Sequence, residues 1–123
     1  MRLNHLNLCA RNLERTWAFY REVLGATYSY HLAPNKIVAK LGDFDLFLEQ
    51  VSDWRPYHSS YHIGFVTSGD EVAAWATRLQ QRGIDLVRGN NPSAELFRDP
   101  TCNRVALYFK DPDDLMIEIY SPD

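Results

Sequence analysis

The chain has 123 residues, 46% of them apolar, and a formal net charge of −3, which suits one compact domain with a substantial core. It has no basic block, which argues against nucleic acid or an anionic membrane as partner, and no apolar run near the ~18 residues that a membrane span needs. The N-terminal Met-Arg-Leu-Asn-His has no signal-like apolar stretch, and two cysteines, Cys9 and Cys102, make no disulfide framework; the expectation is a cytoplasmic protein with reduced thiols.

Leu3 to Ala10 alternates and reads as a strand. Asn12 is placed to cap a helix, whose apolar face is Leu13, Trp17, Tyr20 and Leu24, and Gly25 stands where a terminating glycine belongs. Tyr28 to Leu32, Lys36 to Leu41 and Leu46 to Val51 are predicted strands, with Gly42-Asp43 as the turn between the last two. The order then repeats. Ser60 to Thr67 reads as a strand, and Ser68 with Glu71 forms a capping-box signature. Val72, Trp75, Leu79 and Arg82 carry the helical period, and Gly83 ends it. Asp85 to Arg88 is predicted as a short strand and Gly89 to Ala94 as loop. Val105 to Lys110 and Leu115 to Tyr120 are strands joined by the turn Asp111-Pro112-Asp113-Asp114.

This pattern is an internal duplication within one domain: strand, helix and three strands in residues 1–54, then again in 60–123. A shift of 57 residues lays His5 on His62. Each half has a histidine early in its first strand and a glutamate in its last, Glu49 and Glu118. Carboxylates interrupting apolar strands are seldom buried unless paired or metal-bound. Two imidazoles and two carboxylates, repeated, suit a divalent ion such as Ni, Zn, Co, Mn or Fe.

Asn4-His5-Leu6-Asn7-Leu8, Ala18-Phe19-Tyr20 with Val23-Leu24-Gly25, Tyr61-His62-Ile63-Gly64-Phe65, and Leu107 to Asp113 leading to Ile117-Glu118 span nearly the whole chain. On these stretches it resembles the vicinal oxygen chelate superfamily, which includes glyoxalase I, fosfomycin-resistance transferases, extradiol dioxygenases and bleomycin-resistance proteins. The usual Asp-Pro-Asp-Gly turn has Asp114 for its glycine, and aspartate tolerates the left-handed conformation. The resemblance implies an α+β fold of two βαβββ modules forming an open, cup-shaped barrel. It also implies one divalent ion held by His5, Glu49, His62 and Glu118, a small-molecule substrate and a homodimer.

Four ligands resemble glyoxalase I, and Glu49-Gln50-Val51-Ser52-Asp53-Trp54 resembles its Glu-Leu-Thr-x-Asn-Trp. The implied reaction is a lyase or isomerase step through a metal-stabilised enediolate, with Glu118 and Glu49 as bases. Cys9 and Asp53 stand where that enzyme has the arginine and asparagine that hold glutathione, which disfavours glutathione as the thiol. Tyr108 matches a substrate-facing tyrosine of the dioxygenases and fosfomycin transferases, and Arg88 falls near a phosphonate-binding lysine of the latter. Asn7 shares a strand face with His5 and Cys9, and Trp54 is expected at the cup's rim. The alternatives are an extradiol dioxygenase or fosfomycin-type transferase using only His5, His62 and Glu118, and a metal-free drug-binding module.

Overall fold

The computed structural model describes residues 1–123. By its internal contacts the chain divides into two compact units, Met1–Pro56 and Tyr57–Asp123.

In the first unit the Asn12 side chain accepts a hydrogen bond from Arg15 N at 2.9 Å and starts helix α1, Leu13–Glu22. The Gln50 side chain accepts from Leu13 N at 2.8 Å, so the end of the last strand is fastened to the same helix start. Gly25 takes φ 75°, which only glycine adopts without strain, and releases the chain into the sheet. Strands β1 (His5–Ala10), β2 (Thr27–Ala33), β3 (Lys36–Leu41) and β4 (Phe44–Gln50) form a four-stranded sheet in the order β1-β4-β3-β2. The β1–β4 pair is parallel and the others are antiparallel. Alternation puts Leu8, Ala10, Ile37, Ala39, Leu46 and Leu48 on one face, all buried, with Leu13, Thr16 and Tyr20 of α1. Burying each such leucine or isoleucine contributes about 1.5–3 kcal/mol. The opposite face carries His5, Asn7, Cys9, Lys36, Phe47 and Glu49 and stays partly open to solvent.

The second unit repeats this plan. Ser68 Oγ accepts from Glu71 N at 3.3 Å and starts α2, Gly69–Gln81, which buries Val72 and Leu79. Six further strands follow the chain: β5 (His62–Val66), β6 (Val87–Arg88), β7 (Asn91–Pro92), β8 (Phe97–Arg98), β9 (Val105–Lys110) and β10 (Met116–Ser121). The order β5-β10-β9-β8, with β5 and β10 parallel, matches that of the first sheet. Its core face is Leu107, Phe109, Ile117 and Ile119.

One sequence expectation is corrected here. Val87–Arg88 does not join the main sheet; it pairs with Asn91–Pro92 in a separate two-stranded hairpin. The turn is Gly89-Asn90, with Gly89 at φ 59°, so the expected loop contains a tight hairpin. The fourth place in the sheet belongs to Phe97–Arg98, two residues too short to show alternation.

The Asp111 turn has its own frame. Asp111 Oδ1 accepts from Asp113 N at 2.8 Å and from Leu115 N at 2.9 Å, and Asp114 sits at φ 66°. Asp114→Gly removes the left-handed cost and is expected to stabilise the chain by up to about 1 kcal/mol, seen as a rise of a few degrees in Tm. A fall in Tm would show that contacts of the Asp114 side chain outweigh its backbone strain. Neither helix is long and apolar enough to cross a membrane.

Candidate metal centre

In the second unit β10 runs between β5 and β9, so Glu118 lies opposite Gly64 on one side and opposite Tyr108 on the other. The carboxylate is nearly inaccessible, with its residue 5% exposed. Its two oxygens have different surroundings. Oε1 accepts from the Tyr108 hydroxyl at 2.8 Å and from Arg104 Nη2 at 3.1 Å. Oε2 faces His62 Nε2 at 3.4 Å. Gly64 keeps that side clear, since a Cβ there would stand 3.4 Å from Oε2.

Burial pushes the Tyr108 phenol above its ordinary pKa, and the bond to Glu118 adds to the shift. The phenol therefore stays a hydrogen-bond donor at neutral pH. The cations of Arg104 and Arg88 act on it in the opposite sense, which places both arginines within electrostatic reach of Tyr108. Arg88 itself donates to Leu96 O at 3.2 Å and stands over the Phe97 ring.

His62 Nδ1 lies 3.1 Å from the carbonyl oxygen of Ser60, an atom that can only accept. Nδ1 therefore carries a hydrogen, and the ring turns its Nε2 toward Glu118 Oε2. The 3.4 Å between Nε2 and Oε2 is bridged either by a proton on the imidazole or by a metal ion bound to both atoms. Ligand atoms each about 2.0–2.1 Å from one ion keep a separation of this size, so the donor pair fits a divalent metal.

In the first unit the histidine repeats but the carboxylate does not keep its place. His5 Nδ1 meets Asn4 Oδ1 at 3.1 Å, so here too Nδ1 faces an oxygen and Nε2 is not in that contact. His5 pairs with Asp45 across the parallel ladder, and Glu49 pairs with Cys9, four residues further on. That is about 13 Å along the strand. In the second unit His62 pairs with Met116, and Glu118 is only two residues on. The counterpart of Glu118 is therefore Phe47, whose ring stacks on His5 with centroids 4.2 Å apart and planes at 8°. The expected recurrence of the glutamate is one of residue type, not of register. Glu49 is held instead by Lys36 Nζ at 3.2 Å and by Asn7 Nδ2 at 3.4 Å. In neither unit do three His, Cys, Asp or Glu side chains converge on one point.

Trp54 lies at the end of the first unit with the Arg11 guanidinium 4.2 Å over its ring, and its Nε1 is buried without an acceptor. Two residues that sequence reasoning missed are the cations on the glutamates. Lys36 was legible, because counting outward from the Gly42-Asp43 turn puts it opposite Glu49. Arg104 precedes β9 and reaches Glu118 off register, so spacing gave no signal for it.

Residues 2–119 match the model of the Glyoxalase/Bleomycin resistance protein/Dioxygenase superfamily. The chain belongs to this superfamily. Among curated proteins it is similar to the metallothiol transferase FosB of Shouchella clausii, 25% identical over 127 residues, covering 97% of this chain and 79% of that one. Among solved structures it is similar to the fosfomycin resistance protein FosX of Listeria monocytogenes, with TM-score 0.82, 16% identity and coverage of 100% and 94%. A lactoylglutathione lyase from Agrobacterium tumefaciens gives TM-score 0.75, 22% identity and coverage of 98% and 93%. The two structures support the fold.

Proposed function

We propose that this chain is a divalent-metal-dependent enzyme with His5, His62 and Glu118 as its protein ligands. Its substrate is a small anionic molecule bound through adjacent oxygens, and the reaction is addition of a thiol or water of the fosfomycin-resistance kind. The observation that carries this reading is the pair His62 Nε2 and Glu118 Oε2, 3.4 Å apart, with the other ring nitrogen turned to the Ser60 carbonyl. The matching contact of His5, whose Nδ1 also faces an oxygen, supports it as the third ligand. A bound ion would act as a Lewis acid, polarising the substrate oxygen that leaves carbon or takes up charge.

The rest falls to side chains. Arg88 and Arg104, both within electrostatic reach of Tyr108, supply the positive charge an anionic substrate needs, and the Tyr108 hydroxyl offers a neutral donor. The glyoxalase-type isomerase needs Glu49 as fourth ligand and base. The register puts Phe47 in that place and leaves Glu49 in an ion pair with Lys36, which favours the three-ligand reading. The curated relative is itself named a metallothiol transferase, which points the same way. The expected homodimer has one feature in its favour: edge strand β2 exposes Tyr28, Tyr30 and Leu32.

The test is elemental analysis followed by turnover. The protein should hold about one divalent ion per chain. After loading, it should consume fosfomycin in the presence of a thiol or in water alone. Glu49→Gln should keep the ion and the turnover. Isomerisation of a glutathione hemithioacetal that disappears in Glu49→Gln would overturn the reading and restore the isomerase.

A further inference from the structure

Resting on the metal-centre reading, we infer that Arg104 is a built-in counter-ion of Glu118 that opposes the metal, so that removing its charge tightens ion binding. Glu118 is nearly inaccessible, and a buried carboxylate without a cation is costly. Arg104 supplies that cation at 3.1 Å from Oε1, while Oε2 is left toward His62. A divalent ion at Oε2 would share one carboxylate with a permanent positive charge. The two cations compete for the same electron density and repel each other.

Three further observations single out Arg104. Its side chain is 42% exposed, so it is not locked in place by packing. Its Nε is buried without an acceptor, so the guanidinium is incompletely satisfied where it stands. It also lies over the Tyr120 ring at 5.3 Å, a second favourable place for the charge if its grip on Oε1 weakens. Tyr108 donates to the same oxygen without charge, and so separates holding Glu118 still from neutralising it. A residue that only positions Glu118 would lower ion affinity when lost. A counter-ion raises it.

The experiment is titration of cobalt(II) into the metal-free full chain against a chromophoric chelator, for wild type, Arg104→Gln, Arg104→Lys, Tyr108→Phe and His62→Ala. Arg104→Gln keeps a donor and loses the charge; it should bind about tenfold tighter, equivalent to about 1.4 kcal/mol. Arg104→Lys should stay near wild type, and Tyr108→Phe should be unchanged or weaker. The rise in Tm on adding cobalt should be larger in Arg104→Gln than in wild type, because binding to the folded state is read out as stability. Equal or weaker binding by folded Arg104→Gln, in a wild type whose ion depends on His62, would overturn the counter-ion role and leave the metal centre standing. Absence of binding in every variant would overturn both. If Arg104→Gln is unfolded without the ion, cobalt-driven folding followed by circular dichroism reads an affinity weakened by the variant's own unfolding equilibrium. After correction for that equilibrium, measured by urea titration at several cobalt concentrations, a Kd below that of wild type supports the inference and an equal or higher one overturns it.

Discussion

Glu118→Ala is expected to weaken divalent-ion binding by more than about a hundredfold and to abolish turnover, while leaving the metal-free fold nearly intact. The loss in affinity is large because the substitution removes an ion ligand itself, whereas losing a partner behind a ligand typically costs about 10–100-fold. It takes away the carboxylate that faces His62 Nε2 at 3.4 Å. The fold is spared for a separate reason. Removing one member of a buried ion pair is severe when the remaining charge is trapped. Arg104 is half-exposed and can turn to water, and the Tyr108 phenol is neutral. Isothermal titration of the ion and a melting curve of the metal-free protein check both parts. A collapse in Tm with ion affinity retained would make Glu118 a structural anchor of Arg104, and the metal centre would lose its carboxylate.

The elements that position these groups were largely visible in the sequence, because each is marked by local chemistry. Asn12 and Ser68 cap the two helices as their spacing predicts, and Gly25 and Gly83 end them at φ 75° and 72°. The alternation in β3, β4, β9 and β10 separates the core face from the face that bears Glu49 and Glu118. Antiparallel register was legible too, since a tight turn fixes the count: Gly42-Asp43 brings Lys36 opposite Glu49. Parallel register was not. The strands β1 and β4 are joined through a helix and two other strands, and nothing local says whether His5 meets Asp45 or Phe47. That single ambiguity decides whether Glu49 stands beside the histidine or four residues beyond Asp45, its ladder partner. Arg104 was hidden differently, because a loop cation finds its carboxylate through tertiary placement rather than through a period.

The register yields a second large effect, in the direction of gain. Phe47→Glu is expected to tighten divalent-ion binding by about a hundredfold, while Glu49→Gln leaves it within about twofold. Position 47 stands to His5 as position 118 stands to His62: two residues past the histidine's ladder partner, on the same face. The stacking of Phe47 on His5 at 4.2 Å shows that a side chain from position 47 already reaches the imidazole. A carboxylate there adds a fourth protein ligand of the kind that glyoxalase-type sites use. The cost is modest. The lost aromatic contact is worth about 0.5–1.5 kcal/mol, and Lys36, whose Nζ lies 5.4 Å from the Phe47 ring, is close enough to offset the new charge. The same substitution should slow thiol or water addition, because it takes a coordination position that the substrate's oxygen would use. Ion affinity and turnover therefore move in opposite directions in Phe47→Glu. Should Glu49→Gln lose the ion and Phe47→Glu gain nothing, Glu49 reaches the metal from beyond its register partner, and the four-ligand site read from the sequence is correct.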